Sequence, residues 1–540
     1  MSTPYDTDVL IVGGGPNGLA LALDLGARGI RSILIERDPG TGTEMLVKAD
    51  LLNERSMEYF RHLGLVEQIA NAGFPDDVSR DTVYCTALNG KFIGRDPMPS
   101  TRERKLPDSC VEMHRRCPQF WLDPMLAREV LRRGQCEIRY STALVSLSQD
   151  EDGVTATVSA DDAPATIRSR YVVGCDGAAS VVRRQLGIAF AGDQLDYSLS
   201  AVVRAPDLPR YHPLGMGERY MFIGPDGTWA NLTSVEGREL YRFTVLGSNE
   251  PLDPAKLDMH ALLRRAFGRD GVPYELMRVV PWRRSRFAAE RFHSGRVFLA
   301  GDSAHTTSPT GGHGLNTGLG DVMDVAWMLQ ALLEGWGGPQ LGPAYTAERR
   351  RVAIRNGNSS TRNYSIWVDK EGREKILDDG PEADEQRRLL GERLRAALRQ
   401  EWHSLGVAMG YRYDDSPIVV PDGSPQTPDE PSEYVQTARP GHRAPHAWLA
   451  DGRSTVDLFF ARFVLLHLGQ GTPDYGGLPQ AAKRAGMPLT CMAIEDSAIA
   501  ALYETRLALV RPDGMVAWRG DSAPADAQRL IDQVRGCGPG

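Results

Sequence analysis

Asp302, Pro309 and the glycines at 311, 312 and 314 stand close together in Gly301-Asp302-Ser303-Ala304-His305-Thr306-Thr307-Ser308-Pro309-Thr310-Gly311-Gly312-His313-Gly314-Leu315-Asn316. A carboxylate, a proline turn and a glycine cluster can hold a flat or phosphorylated ligand against bare backbone. The glycines remove Cβ atoms from the approach, and a following helix start offers unpaired N–H groups to an electron-rich group. An ordinary strand-loop-helix connector has the same outline, so the stretch needs support from the rest of the chain.

The elements around it supply the setting. Val297 to Ala300 is an apolar strand-like run, and Leu319 to Gly335 carries Val322, Val325, Ala326, Leu329 and Leu333 at helical spacing. At the other end of the chain Asp8 to Val12 reads as a strand, leads into Gly13-x-Gly15-x-x-Gly18 with Pro16 and Asn17 inside the turn, and continues as the helix-like Leu19 to Gly26. A second strand, Arg31 to Ile35, ends in Glu36-Arg37. Glycines admit a pyrophosphate, the helix N-terminus faces its charge, and Glu36 accepts from ribose hydroxyls, so the segment reads as a dinucleotide site. Glycine spacing does not separate FAD from NAD.

Between these ends lie further candidates. Lys48 to Leu65 has apolar residues at 57, 60 and 63 and a stop at Gly64, which predicts a helix with Asp50 just ahead of it, in the place of a cap or first-turn carboxylate. Cys117 to Leu131 reads as a helix. Tyr171 to Cys175 is a strand that runs into the turn Asp176-Gly177 and the basic pair Arg183-Arg184. Residues 190–290 are strand-rich and predict an interposed β-sheet, while Glu382 to Leu405 reads as a packed helix. Five prolines between Pro417 and Pro431 mark a linker or extended crossing, and a third, separate α/β unit follows.

The fold class expected is therefore α/β: a Rossmann-like FAD- or NAD-binding domain, a β-sheet domain inserted in it, and a C-terminal α/β domain. The divisions are 1–80, 105–190 and 290–375 for the first, 81–104 and 191–289 for the second, 376–416 as a helical connection, 417–432 as linker and 433–540 as the third. The formal charge of −8 over 540 residues gives no bias toward nucleic acid. Seven scattered cysteines include no Cys-x-x-Cys, which argues against a zinc ribbon and a dithiol motif. No apolar run reaches 18 residues and no signal-like N-terminus is present, so a cytoplasmic protein without a membrane span is expected.

Taken in order, Gly13-x-Gly15-x-x-Gly18 with Glu36-Arg37, Cys175-Asp176-Gly177 with Arg183, and the Gly301 to Asn316 stretch resemble the class A FAD aromatic hydroxylases, typified by para-hydroxybenzoate hydroxylase and phenol hydroxylase. Pro440 to Leu449 and Leu509 to Arg519 are similar to the C-terminal thioredoxin-like region of the phenol hydroxylase and polyketide hydroxylase branch. Ser303 departs from the usual alanine, and the C-terminal region has no redox cysteine pair.

The resemblance implies a glutathione reductase type FAD domain and a role for each matching residue. Gly13, Gly15, Pro16, Asn17 and Gly18 cradle FAD, Glu36 holds the adenosine ribose, Arg37 lies near the adenine and Gln119 faces the flavin. Asp176-Gly177 serves FAD and the reductant, Asp302 binds the ribityl or pyrophosphate region, and Pro309, Gly312, Gly314, Leu315 and Asn316 line the isoalloxazine. The implied reaction is hydroxylation of a phenolic or electron-rich (hetero)aromatic substrate with O2 through a flavin hydroperoxide. NADPH or NADH reduces the FAD, and only one dinucleotide fingerprint is present, so the nicotinamide visits transiently.

Asp50 fits the Ala-Asp-x-x-x-x-Arg arrangement of the phenol hydroxylase branch in Ala49 to Arg55, which makes it the candidate general base beside the cap reading. Trp282 falls near a position that lines the substrate cavity, with a structural aromatic as the alternative. Arg204, Met221 and Arg242 on the middle sheet are further pocket candidates, and alternation alone leaves their sheet face open. The partner expected is a small aromatic substrate, without nucleic acid or membrane and compatible with a homo-oligomer. A flavin halogenase is the nearest rival activity, but its Trp-x-Trp-x-Ile-Pro segment has no better match than Val280-Pro281-Trp282-Arg283. A non-catalytic FAD-fold binding protein is opposed by the complete Asp302 to Asn316 motif.

Overall fold

The signature stretch is the seam between two large sheets. In the computed structural model, which describes residues 5–41, 48–160 and 163–538, strand Val297–Leu299 lies parallel to Ala163–Gly174 in the first sheet. One short 3-10 turn later, His305–Thr306 pairs antiparallel with Glu275–Ala289 at the edge of the second.

In the first sheet Thr7–Val12 lies between Ala163–Gly174 and Ser32–Ile35, parallel to both. Every residue of Ser32–Ile35 is buried, as expected for a parallel strand covered on both faces. Helix Pro16–Ala27 packs between Gln119–Arg133 and His313–Glu334. The last of these begins at the end of the glycine cluster, earlier than the apolar periodicity predicts, because its first turn is polar and glycine-rich.

The second sheet runs in the order His305–Thr306, Glu275–Ala289, Phe190–Arg204, Leu240–Ser248, Gly227–Ser234, Arg219–Gly224, Thr82–Cys85, Phe92–Asp96. Its outer face packs Leu199, Ala201, Val203, Phe222, Leu232 and Phe243 against helix Met259–Phe267. Side chains alternate across a strand, so Ser200, Met221, Arg242 and Trp282 turn to the inner face, toward the first domain. Helices Leu341–Val368 and Pro381–Trp402 cover part of that inner face through Trp367, Leu390, Leu394 and Leu398.

The C-terminal unit has a four-stranded sheet ordered Leu489–Ile494, Phe463–Leu468, Leu507–Val510, Val516–Gly520, parallel in its first pair and antiparallel in the other two. With helices Leu478–Arg484 and Ala527–Val534 it has a thioredoxin-like layout. Its packing is not separate. The edge of the Phe463 ring meets Trp327 and Trp336, and its core is continuous with that of the first domain. The proline-rich crossing is pinned as well: Ile418 and Val419 are buried, and the Val420 N–H bonds to the Ala517 carbonyl at 2.8 Å.

Buried ions fix how the unit sits. Arg511 bonds to Glu348 at 2.6 Å, Asp513 accepts from Trp327 Nε1 at 3.0 Å, and Arg443 pairs with Glu58. Such pairs add little net stability over an apolar core, but removing one partner leaves a buried charge, which specifies the docking. Among the described residues no helix is long and apolar enough to cross a membrane.

Candidate functional site

Strand Thr7–Val12 ends at the head of a crevice where backbone, not side chains, forms the wall. Gly13 has φ +111, a conformation that glycine adopts without strain, and a Cβ there would meet Asp176 Cα at 3.0 Å. The first glycine and the Asp176-Gly177 turn are therefore in direct contact. A Cβ on Gly18 would strike the Gly13 carbonyl oxygen, so helix Pro16–Ala27 starts flush against the turn. Gly15, its N-cap, faces open space, and no side chain caps the helix. The unpaired N–H groups and positive dipole end are thus directed into the crevice. Glu36 accepts the Gly14 N–H at 2.6 Å and the Asp38 N–H at 3.0 Å. Arg37 projects outward, with its side chain 78% exposed.

The Gly301 to Asn316 stretch closes the crevice from the other side. Gly301 and Gly318 flank the Asn17 amide so closely that a Cβ on either would clash with it. Asn17 Oδ1 is buried without a hydrogen-bond partner among the described residues. Ser303, the departure from alanine, donates to the Gly174 carbonyl at 2.6 Å and so ties the ends of two parallel strands. Arg183 donates to the Ser303 carbonyl at 2.9 Å, which joins the Asp176 turn to the same place. The Asp176 carboxylate itself accepts from Ser180 Oγ and the Val181 N–H at 2.6 Å, capping a helix start, and Gly177 beside it has φ +77 with open space where a Cβ would lie.

Asp302 lines the crevice, open to solvent yet walled by protein. That enclosure raises its carboxyl above the usual range, opposed by His305 and Lys48. Pro309 is exposed, Gly311 and Gly312 have φ of +85 and +69, and helix His313–Glu334 starts at once with no side-chain cap.

Asn316 does more than present its backbone beside Gly314 and Leu315. Its Oδ1 accepts the Asn53 N–H at 2.8 Å and Ser56 Oγ at 2.7 Å, while its Nδ2 donates to the carbonyls of Leu51 and Gly312 at 2.9 and 2.6 Å. One amide thus staples the glycine turn to the segment that carries Asp50.

Asp50 caps nothing. The N-cap of helix Glu54–His62 is Asn53, whose side chain accepts from the Ser56 N–H at 2.9 Å. Asp50 Oδ2 instead pairs with Arg116 Nη2 at 2.7 Å, and its other oxygen has no hydrogen bond among the described residues. Arg116 also binds Glu218 at 2.6 Å, and Arg80 reaches the same carboxylate at 2.7 Å. Burial alone would raise Glu218, but Arg116 and Arg80 overcome it and hold the carboxyl at about 2.

The neighbouring strand Leu51–Leu52 pairs with Arg115–Arg116, which explains how residues so far apart in sequence meet. Nothing in sequence marks Arg116 or Glu218 as partners, since the link is a two-residue ladder between distant segments.

The inner sheet face supplies the opposite wall. Arg242 donates to the Lys48 carbonyl at 3.0 Å, two residues from Asp50; burial lowers its pKa, opposed by Asp50. Trp282 is half-buried, donates Nε1–H to Ser200 Oγ at 2.9 Å and lies 4.8 Å from the Arg284 guanidinium. Arg284 in turn donates to Ser308 Oγ at 2.9 Å, so sheet and signature stretch are tied there too.

Two expected pocket residues have other partners. Met221 is 1% exposed and fills the core beneath helix Pro381–Trp402, and Arg204 sits at its strand's end in ion pairs with Glu239 and Glu275. Alternation leaves their sheet face open and gives no sign of the covering helix or the edge carboxylates, which engage both side chains elsewhere. Gln119 donates Nε2–H to Asp123, a buried carboxyl the sequence did not single out, which burial raises to about 7, opposed by the Gln119 bond.

These parts fit FAD. An uncapped helix start beside an open Gly15, with the Glu36 carboxylate next to it, can take a dinucleotide, and a second uncapped helix start borders the glycine turn.

The FAD binding domain family matches residues 6–359, and the aromatic-ring hydroxylase C-terminal family matches 437–537. The chain belongs to the FAD-dependent aromatic-ring hydroxylases. It is 32% identical to tetracenomycin B2 monooxygenase-dioxygenase of Streptomyces olivaceus, with 97% of each chain covered. It is 30% identical to phenol 2-monooxygenase of a Pseudomonas species, covering 98% of this chain and 93% of that one. The structure of the rebeccamycin biosynthetic enzyme RebC with reduced flavin superposes with a TM-score of 0.91 at 37% identity, over 99% of this chain and 100% of that one. This hydroxylase is therefore an FAD monooxygenase of the class that uses NAD(P)H and O2 on aromatic rings.

Proposed function

We propose that this enzyme hydroxylates a phenolic or related electron-rich ring held between the 309–316 turn and the inner sheet face, with Asp50 as the base that takes the ring hydroxyl proton. The observation that carries this reading is the Asn316 staple, which joins the Asp50 segment to the turn proposed to face the flavin. FAD bound in the crevice supplies the chemistry of reduction by NAD(P)H and of O2 activation. The chain supplies position, exclusion of water and proton control.

Gly13, Gly15, Pro16, Asn17 and Gly18 would hold the pyrophosphate, Glu36 and Arg37 the adenosine side, and Gln119, Gly177 and Asp302 the ribityl side. Pro309, Gly312, Gly314, Leu315 and the Asn316 backbone would line the ring system. Asp50 would reach the ring with the oxygen that Arg116 leaves unused, while the Arg116 pair holds the carboxylate in place. A phenolate is a stronger carbon nucleophile than a phenol, and a positioned base is worth roughly 10² to 10⁴ in rate. Arg242 and Trp282 stand on the wall across from Asp50 and would bound the ring's position.

The test is Asp50→Asn in the FAD-loaded enzyme, with hydroxylated product and peroxide measured against NAD(P)H consumed. Product formation should fall by about 10² or more while FAD stays bound. Unchanged coupled turnover would remove Asp50 from the mechanism. The substrate panel should run from phenol to fused polycyclic phenols, since relatives of similar identity are named for both.

A further inference from the structure

Arg55 closes the Ala49 to Arg55 stretch that points to Asp50, yet the hydroxylation chemistry does not use it. It is the second residue of helix Glu54–His62, whose N-cap Asn53 follows closely on Asp50. The side chain is buried and its guanidinium serves three partners. Nη1 donates to Glu58 Oε2 at 2.8 Å, Nε to the Tyr411 hydroxyl at 3.2 Å, and Nη2 to the Asp513 carbonyl oxygen at 2.5 Å. Glu58 is wholly enclosed and takes a second cation from Arg443, whose Nε lies 3.0 Å from Oε2. Asp513 and Arg443 both belong to the C-terminal unit, so a motif that begins in the first domain is anchored in the third.

Asp513 sits in the hairpin turn between strands Leu507–Val510 and Val516–Gly520. The turn is tightened by the Gly514 N–H, which bonds to the Arg511 carbonyl at 2.9 Å, and by a φ of +79 at Gly514. It has two grips. The Asp513 carbonyl takes Arg55, on the helix that follows Asp50. The Asp513 carboxylate takes Trp327 Nε1 at 3.0 Å, and Trp327 belongs to helix His313–Glu334, which starts at the glycine turn. Arg511 Nε and the Met515 N–H, both at 3.0 Å, fix that carboxylate from within the unit. Asn316 ties the two helix starts directly, and Asp513 ties the same helices a second time through Arg55 and Trp327.

We propose that Arg55 is a positioning residue through which the 511–515 turn of the C-terminal unit holds the Asp50 segment against the glycine turn. The inference rests on the reading that Asp50 acts on the substrate ring. It gives the C-terminal unit, which has no Cys-x-x-Cys, a part in the reaction: it sets where the base stands.

The chemistry of the link favours position over bulk stability. A guanidinium is a rigid planar fork, and here all three of its nitrogens are used, by acceptors on three different segments. That fixes the group in direction as well as in place. A buried ion pair adds little net stability over apolar packing, so the three-way geometry is what Arg55 contributes. Lysine would keep the charge beside Glu58 but, as a single ammonium, would release the Asp513 carbonyl or the Tyr411 hydroxyl.

The experiment compares FAD-loaded wild type with Arg55→Lys and Gly514→Ala. The first keeps the buried charge. The second leaves every charge in place and disturbs the turn from the C-terminal side, because alanine is strained at a left-handed φ, so it carries the test if Arg55→Lys folds poorly. Amide hydrogen exchange reads the mechanical link, and hydroxylated product against peroxide per NAD(P)H consumed reads its consequence. In both variants exchange over 49–58 should be faster by about 10-fold, with less than about twofold change in strands Phe463–Leu468 and Leu489–Ile494. A displacement of about 1 Å can cost on the order of 10²-fold in rate, so Arg55→Lys should lower product formation by about 10-fold with FAD still bound, and Gly514→Ala by less.

Exchange over 49–58 that stays at the wild-type rate, or that rises equally in the two C-terminal strands, would overturn the proposal by leaving Arg55 a purely structural ion. Product formation that stays at the wild-type level in Arg55→Lys while Asp50→Asn lowers it would overturn it as well. If Asp50→Asn itself leaves turnover unchanged, the base reading fails, and exchange over 49–58 still decides whether Arg55 holds the segment.

Discussion

The two walls of the crevice proposed as the active site are built on different principles. The wall proposed for the cofactor is backbone: Gly13, Gly15, Gly18, Gly311 and Gly312 bring bare peptide groups and two uncapped helix starts to the crevice. The wall that carries Asp50 is side chain: Asp50, Arg116, Glu218, Arg242, Trp282 and Arg284 meet from segments far apart in sequence. A backbone wall tolerates almost no added atom, whereas the side-chain wall depends on charge balance. Each should therefore fail in its own way.

The largest effect is expected on the charged wall. Arg116→Met leaves Asp50 without its cation and Glu218 with Arg80 alone, and should cost about 3–5 kcal/mol of stability. Urea unfolding reads this, and adding Asp50→Asn should recover part of the loss by removing the stranded charge.

A pH series sharpens the same wall. The folded pKa of Glu218 is depressed to about 2, so its contribution is complete above the unfolded value near 4.5 and is lost as pH falls toward 2. The shift corresponds to on the order of 3 kcal/mol. The urea midpoint of the wild type should therefore fall more steeply below pH 4.5 than that of Glu218→Gln.

On the backbone wall, Gly18→Ala forces a methyl group onto the Gly13 carbonyl and should weaken FAD binding by about 100-fold, read by flavin titration of the apoprotein. The smallest effect is expected at Arg204, whose half-exposed ion pairs with Glu239 and Glu275 lie at the rim. Arg204→Ala should change stability by no more than about 0.5 kcal/mol and leave turnover within about twofold.

The same division explains what the sequence discloses. Backbone sites are written in glycine spacing and strand-helix alternation, so Gly13 to Gly18, Glu36, Asp176-Gly177 and the 301–316 stretch were legible, as were the inserted sheet and the C-terminal unit. Side-chain walls are written in pairings between remote strands. Arg116 meets Asp50 because two dipeptides form a ladder, and Met221 is removed from the cavity because helix Pro381–Trp402 lies over it. Neither fact has a local signature.

The Asn316 amide joins the two walls. A double-mutant cycle on Asp50→Asn and Asn316→Ala, scored as hydroxylated product per NAD(P)H consumed, tests that link directly. If the Asn316 amide acts by holding the Asp50 segment against the flavin turn, Asn316→Ala alone should shift consumption from product toward peroxide, and it should add little once Asp50 is gone. Losses that simply multiply, with FAD binding equal in all four proteins, would show that Asp50 and the turn act independently and would contradict the account.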